Sequence, residues 1–229
     1  MSDRPWGVSV TVDLNVLVTF VQCSLVVEYS PQGQPLRHIR LPSDVLHPLH
    51  ADWLPDGHLV VSHGDGADPV HRVCAFSVDD DGQATTAAAQ DGLRATPSDR
   101  GSTGECVLDP IQLEVALGSN RSAMPMDVPG HIAVDQLSGG LLLVADVNNS
   151  RLLTVDTRLS RCSVLLELAA QTEFPVRLCI DAARCRLYVA CNGAVRRGRW
   201  TSGSVLVFFF DVHRGLDSEL DTSTSFCCS

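Results

Sequence analysis

The chain has 229 residues, 45% of them hydrophobic and 19% charged, which is enough for a large core and excludes a fibrous repeat or wholesale disorder. Its formal net charge of −10 repels polyanions, so nucleic acid is a disfavoured partner. No apolar run approaches the roughly 20 residues that span a bilayer, so no membrane partner is expected.

From the N-terminus, Met1 leads directly into polar residues and a strand-like run, without the charged start, apolar block and small-residue site of a secretory leader. This points to the cytoplasm. The first blade-like unit opens at Pro5, with an apolar run over residues 5–13, a second over 15–19 and a third over 24–29. The second opens at Pro48, turns at Pro55-Asp56-Gly57 and continues over residues 58–62 and 73–78. A stretch rich in Ala, Gly, Ser, Thr and Asp follows over 79–127, and it reads as a degraded blade or a disordered insert. The third unit opens at Pro129 and passes a Gly139-Gly140 turn into residues 141–146 and 148–155. The fourth opens at Pro175 and continues over 186–192 and 204–208. Residues 212–229 are rich in Ser, Thr and Asp and read as a disordered tail.

The opening prolines are 43, 81 and 46 residues apart, and 81 is close to two blades of 40–45 residues. Short apolar runs rich in β-branched residues, separated by Gly, Asp and Asn, are strand and hairpin signals, and nothing sustains a helical period. Such units bury both faces when packed radially, so residues 1–211 are expected to form an all-β propeller with four clear blades and one degraded blade. Nine cysteines without a C-x-x-C pair argue against a disulfide framework and a structural zinc module. Cys179, Cys185 and Cys191, spaced by six, read as small residues in or beside one hairpin. The basic cluster Arg196, Arg197, Arg199 and Trp200 reads as a solvated turn between two strands.

The run Val144-Ala145-Asp146-Val147-Asn148-Asn149-Ser150-Arg151-Leu152 resembles the core of the NHL repeat, in which an apolar pair and Asp precede Asn, a polar residue and Arg. Thr19, Ser62 and Cys191 stand in the corresponding place of the other copies. The resemblance implies a propeller that commonly closes with six blades. This chain would then be incomplete, with an open blade edge that invites self-association. It also implies a non-catalytic interaction or scaffolding module for a protein or peptide ligand, by analogy a substrate-recognition unit in ubiquitin ligation.

Chemistry is sought at equivalent repeat positions. Two residues after each opening proline stand Gly7, His50, His131 and Arg177, and in a propeller these positions converge around the axis. Together with Trp6 and Trp53 as aromatic anchors, His50, His131 and Arg177 form the expected binding surface at the channel mouth. The alternative is a metal-dependent lyase or hydrolase, because the peptide-amidating lyases, which are NHL-like propellers, use a similar ring of histidines. A catalytic metal needs about three ligands, and Arg177 in the third position repels a cation, so no metal or cofactor and no catalysis are expected. The acidic residues Asp13, Asp52, Asp135, Asp146 and Asp181 read as turn-forming side chains.

Overall fold

The computed structural model describes residues 4–65, 70–86, 125–136, 141–156, 162–168, 173–193, 195–196, 199–200, 203–209 and 221–227. Blade 1 contains β1 (Pro5–Val10), β2 (Val16–Phe20), β3 (Leu25–Tyr29) and β4 (Pro35–Arg40). Blade 2 contains β5 (Pro48–Trp53), β6 (Leu59–His63), β7 (Arg72–Val78) and β8 (Ala84–Thr86). In blade 3 the strands are β9 (Pro129–Asp135), β10 (Leu141–Asp146), β11 (Arg151–Val155) and β12 (Cys162–Glu167). Blade 4 begins with β13 (Glu173–Asp181) and β14 (Arg186–Gly193), which are separated by a 3-10 turn over Ala182–Arg184. A small hairpin of β15 (Val195–Arg196) and β16 (Arg199–Trp200) follows, and β17 (Ser204–Phe209) and β18 (Asp221–Cys227) complete the sheet. Every strand pair within the sheets is antiparallel, and each blade is a four-stranded meander. Among the described residues the result is an all-β propeller of four blades.

Two strands come from segments read as irregular: β8 from the stretch after residue 79, and β18 from the C-terminal stretch. Residues 87–124, the bulk of the expected degraded blade or insert, lie outside the described residues. The basic cluster does fall on a short hairpin, β15–β16. Among the described residues no helix is long and apolar enough to cross a membrane.

The core sits between blades. Leu17, Val26 and Ile39 of blade 1 pack against Leu59, Val61 and Phe76 of blade 2. Val60 and Val73 of blade 2 meet Ile132, Val144 and Leu153 of blade 3, and Ala133, Leu143 and Leu152 of blade 3 meet Leu178, Leu187 and Val189 of blade 4. Because strand side chains alternate, each middle blade sends successive residues into two different cores. That explains why its strands read as continuous apolar runs rather than as alternating ones. Burying each such Leu, Ile or Phe contributes roughly 1.5–3 kcal/mol.

The inner strands follow one another around the axis, with β1 against β5, β5 against β9, and β9 against β13. Gly7 is what allows the first of these contacts, since a Cβ there would come 2.3 Å from the Leu49 carbonyl oxygen and 2.9 Å from His50 Cα.

The NHL-like run forms the turn between β10 and β11. The buried Asp146 carboxylate accepts from Arg151 Nε at 2.6 Å, from Asn149 Nδ2 at 2.9 Å and from the Asp127 amide at 2.7 Å. Asn148 Nδ2 donates to Asp127 at 3.0 Å, and Asn149 Nδ2 also reaches the Pro125 carbonyl at 2.8 Å. The motif therefore tethers the segment entering blade 3 to that blade's first outward turn. Burial pushes the Asp146 carboxyl above its ordinary value, against the lowering pull of these donors.

Candidate functional site

The same irregularity recurs at the start of every inner strand. Pro5 pairs with Phe20 and Gly7 with Thr19, so Trp6 is bulged out of the ladder. Pro48 and His50 flank the same skip in β5, Pro129 and His131 in β9, and Pro175 and Arg177 in β13. A bulge twists its strand and re-aims the next side chain. Proline suits this place because it has no N–H to leave unpaired. The register also refines the alignment of the repeats: opposite the opening prolines stand Phe20, His63, Asp146 and Cys191. The true counterparts of Asp146 in blades 1 and 2 are thus one residue beyond Thr19 and Ser62.

The bulges bring His50 and His131 together. Their rings stack with centroids 3.8 Å apart and an interplanar angle of 35°, and both residues are buried. His50 Nε2 donates to the Val8 carbonyl oxygen at 3.1 Å, which ties blade 2 to blade 1. His131 Nδ1 accepts from the Leu178 amide at 3.4 Å, which ties blade 3 to blade 4. Two imidazoles thereby link all four inner strands.

These bonds assign the tautomers. With Nε2–H committed to Val8, His50 carries its lone pair on Nδ1, and that atom is buried without a hydrogen-bond partner. The hydroxyl of Ser62, the residue directly opposite His50 across the β5–β6 ladder, is likewise buried and unpartnered. Desolvation lowers the His50 imidazole to about 4, with the Arg177 charge acting in the same direction. Burial, the neighbouring His50 and Arg177 lower His131 to about 2. Both rings are neutral at pH 7. Arg177 is exposed beside them, its Nη1 donating to the Val176 carbonyl at 2.7 Å.

His50 and His131 therefore meet, and the charge of Arg177, at the same repeat position of blade 4, acts on both. Trp6 projects from the bulge next to Gly7 and is exposed. Trp53 lies at the other end of β5 from the bulge, opposite Leu59. There its ring lies under the Arg37 guanidinium, 5.1 Å from Cζ to centroid, and its carbonyl accepts from Gln136 Nε2 at 2.7 Å. The five candidate residues thus divide between two ends of the inner strands. Ser62 and the main-chain groups of Val8 and Leu178 had no signal in the sequence; only the register finds them.

Asp52, read as a turn residue, accepts from the amide of Trp53 in its own strand and from that of Val134 in blade 3. Burial raises its carboxyl to about 7. Asp181 follows the turn reading, accepting from the Arg184 amide at 3.1 Å. Of the cysteines spaced by six, Cys191 is buried, Cys185 half-buried and Cys179 exposed, all on or beside the β13–β14 hairpin. Burial raises the Cys191 thiol to about 12. Among the described residues no group of three or more His, Cys, Asp or Glu side chains is placed to hold a metal ion. Two imidazoles beside a guanidinium are not the donor set of a divalent cation.

No family model matches the chain, and neither does any curated protein. Solved structures match its fold. One is a putative 6-phosphogluconolactonase from Bacteroides uniformis, 12% identical with a TM-score of 0.52, covering 99% of this chain and 55% of that one. Another is a catalytically inactive variant of virginiamycin B lyase from Staphylococcus aureus, in which a histidine is replaced by alanine, with quinupristin. It is 8% identical with a TM-score of 0.50 and covers 90% of this chain and 62% of that one. The hydrazine synthase of Kuenenia stuttgartiensis, at 13% identity and a TM-score of 0.55, covers 98% and 49%. The chain thus spans less than two thirds of the structures it matches. These likenesses support a β-propeller. They also correct the expectation of a non-enzyme, because the structures that share this architecture include lyases and lactonases. Repulsion of a cation by Arg177, the ground for expecting no catalysis, bears on a metal site alone and leaves metal-free chemistry open.

Proposed function

We propose that the axial cluster binds a small molecule carrying a carboxylate or a lactone carbonyl and cleaves a C–O bond in it, a reading supported by the likeness to structures named as a lyase and a putative 6-phosphogluconolactonase. One observation carries this reading. His50 Nδ1 is a buried, unpartnered lone pair whose tautomer is set by the bond from Nε2 to Val8, and it stands in the field of the Arg177 guanidinium. A neutral imidazole held in one orientation is a proton acceptor, and a guanidinium stabilises negative charge developing on oxygen. In elimination, His50 takes the proton next to the carbonyl, the C–H electrons form a C=C bond as the C–O bond breaks, and the imidazolium gives its proton to the leaving oxygen. In lactone opening, it takes a proton from water as the water oxygen attacks the carbonyl, and the resulting imidazolium returns that proton to the ring oxygen as the acyl C–O bond breaks. An anion seated on Arg177 offsets the positive field that lowers the imidazole and so strengthens the base. The metal-dependent version of this chemistry has no ligand set among the described residues, so no step is assigned to a metal.

The test is hydrolysis of a simple δ-lactone followed by pH-stat, together with calorimetric titration of the corresponding hydroxycarboxylate. Arg177→Ala is expected to weaken binding tenfold or more. His50→Gln should preserve binding and lower turnover by about 10²-fold or more, the scale of general base catalysis. Hydrolysis no faster than in buffer, with no saturable binding, overturns the proposal.

A further inference from the structure

His50 is 2% exposed and Ser62 0%, and among the described residues neither His50 Nδ1 nor Ser62 Oγ has a hydrogen-bond partner. Buried polar atoms left unpaired are costly, and folded proteins satisfy them with other protein groups or with ordered water. The two residues stand directly opposite each other on β5 and β6, which puts their Cβ atoms about 4.5–5.5 Å apart on one face of the blade. That face is turned to blade 3. Val60, two residues before Ser62, and Val73, opposite Ser62 on β7, both pack with Ile132 and Val144. Ser62 is one residue from the end of β6, at the end of the blade that carries the bulge.

The repeat leaves room in this place. Opposite the axial residues Gly7, His50, His131 and Arg177 stand Thr19, Ser62, Ala145 and Ala190, so nothing larger than threonine lies beside the axial side chain. The two blades with an axial imidazole differ in a paired way. In blade 3 the Nδ1 lone pair of His131 is taken by the Leu178 amide, and the residue opposite is an alanine. In blade 2 no main-chain donor takes the Nδ1 lone pair of His50, and the residue opposite is a serine. The hydroxyl thus stands where the imidazole still needs a donor.

We propose that Ser62 Oγ and His50 Nδ1 together hold a single water molecule, and that this water is the nucleophile of the lactone opening described above; its role as nucleophile rests on that reading. A buried water is held by two to four polar partners, and a general base can act on its proton through such a contact. One hydrogen is donated to Nδ1 and the other to Oγ, so the lone pairs of the water oxygen are left for the carbonyl carbon. In the reaction that oxygen forms the new bond to the acyl carbon. The proton on the Nδ1 side passes to the imidazole and on to the ring oxygen as the acyl C–O bond breaks, and the other proton stays on the new carboxyl group until solvent removes it. Ser62 positions the water and does not itself become acylated.

Two measurements on the full chain decide this. A high-resolution crystal structure should show one water within hydrogen-bond distance of both Ser62 Oγ and His50 Nδ1; no water there, or a direct bond from Oγ to Nδ1, overturns the site. In δ-lactone hydrolysis, Ser62→Ala should lower kcat about tenfold or more while KM and hydroxycarboxylate binding stay as in the wild type. Ser62→Thr, the side chain that blade 1 carries in this place, should recover most of the loss. A hydroxyl with a purely structural role would move neither kcat nor its recovery by threonine, so a Ser62→Ala chain as fast as an active wild type overturns the role in catalysis. A wild type that hydrolyses no lactone defeats the reaction proposed for the cluster and the nucleophilic role with it, and the crystal structure still decides the water site by itself.

Discussion

Blades 1 and 3 are built on the same pattern, an opening proline, a bulge and three further strands, yet they are secured in different ways. In blade 3 both faces are covered, and the turn after β10 is locked by Asp146, Asn149 and Arg151 to residues 125–127. In blade 1 the residues at the places of Asp146 and Arg151 are Phe20 and Leu25, and Val8 and Val10 of its inner strand are exposed. The repeat thus specifies the sheet, while covered faces and polar tethers decide how firmly each sheet is held.

Arg151→Ala should separate the two blades most sharply. It leaves Asp146 buried without its cation, which typically costs about 3–5 kcal/mol, whereas Leu25→Ala in blade 1 removes only a half-buried side chain and should cost roughly half as much or less. Urea unfolding of the two variants measures the difference.

Acid titration probes the axis against the blade boundary. The ordinary histidine value is about 6.5, and the buried His50 sits near 4. The unfolded chain therefore binds the extra proton first, and stability falls as pH drops from about 6.5 towards 4, by roughly 3 kcal/mol from this residue alone. Asp52, raised to about 7, acts the other way over the same range, because there the folded state holds the proton more tightly. Asp146, also raised by burial, has the same sign. The two effects offset each other, so Asp52→Asn should make the acid loss of stability steeper, as read from melting temperature at pH 7, 6 and 5.

Gly7→Ala should cost about 1–3 kcal/mol through overpacking, because the obstructing atoms are the Leu49 carbonyl and His50 Cα rather than a mobile side-chain tip. The smallest effect is expected for Ser9→Ala, about 1 kcal/mol for one hydrogen bond, measured by chemical denaturation.

Much of the fold was legible because apolar runs, Gly-containing turns and the recurring proline are local. The blade starts at Pro5, Pro48, Pro129 and Pro175 and the meeting of His50 with His131 follow from repetition alone. The bulge did not: it is a property of pairing, and without it Thr19 and Ser62 were aligned with Asp146 one residue short. Strands β8 and β18 escaped notice because Ala84–Thr86 and Asp221–Cys227 are polar outer strands that carry little apolar signal. Trp53 was grouped with the axial residues as an aromatic anchor, but the length of β5 carries it to the other end of the blade.

The axial claim is tested most directly by 15N NMR of the imidazole nitrogens of His50 and His131 between pH 4 and 8, with and without a hydroxycarboxylate probe. Two neutral rings at pH 7, each protonated on Nε2 and neither titrating above about pH 5, are predicted. The His50 Nδ1 signal should move on adding the probe to the wild type but not to Arg177→Ala. Titration of either ring near 6.5, or an Nδ1 signal indifferent to the probe, would contradict the account.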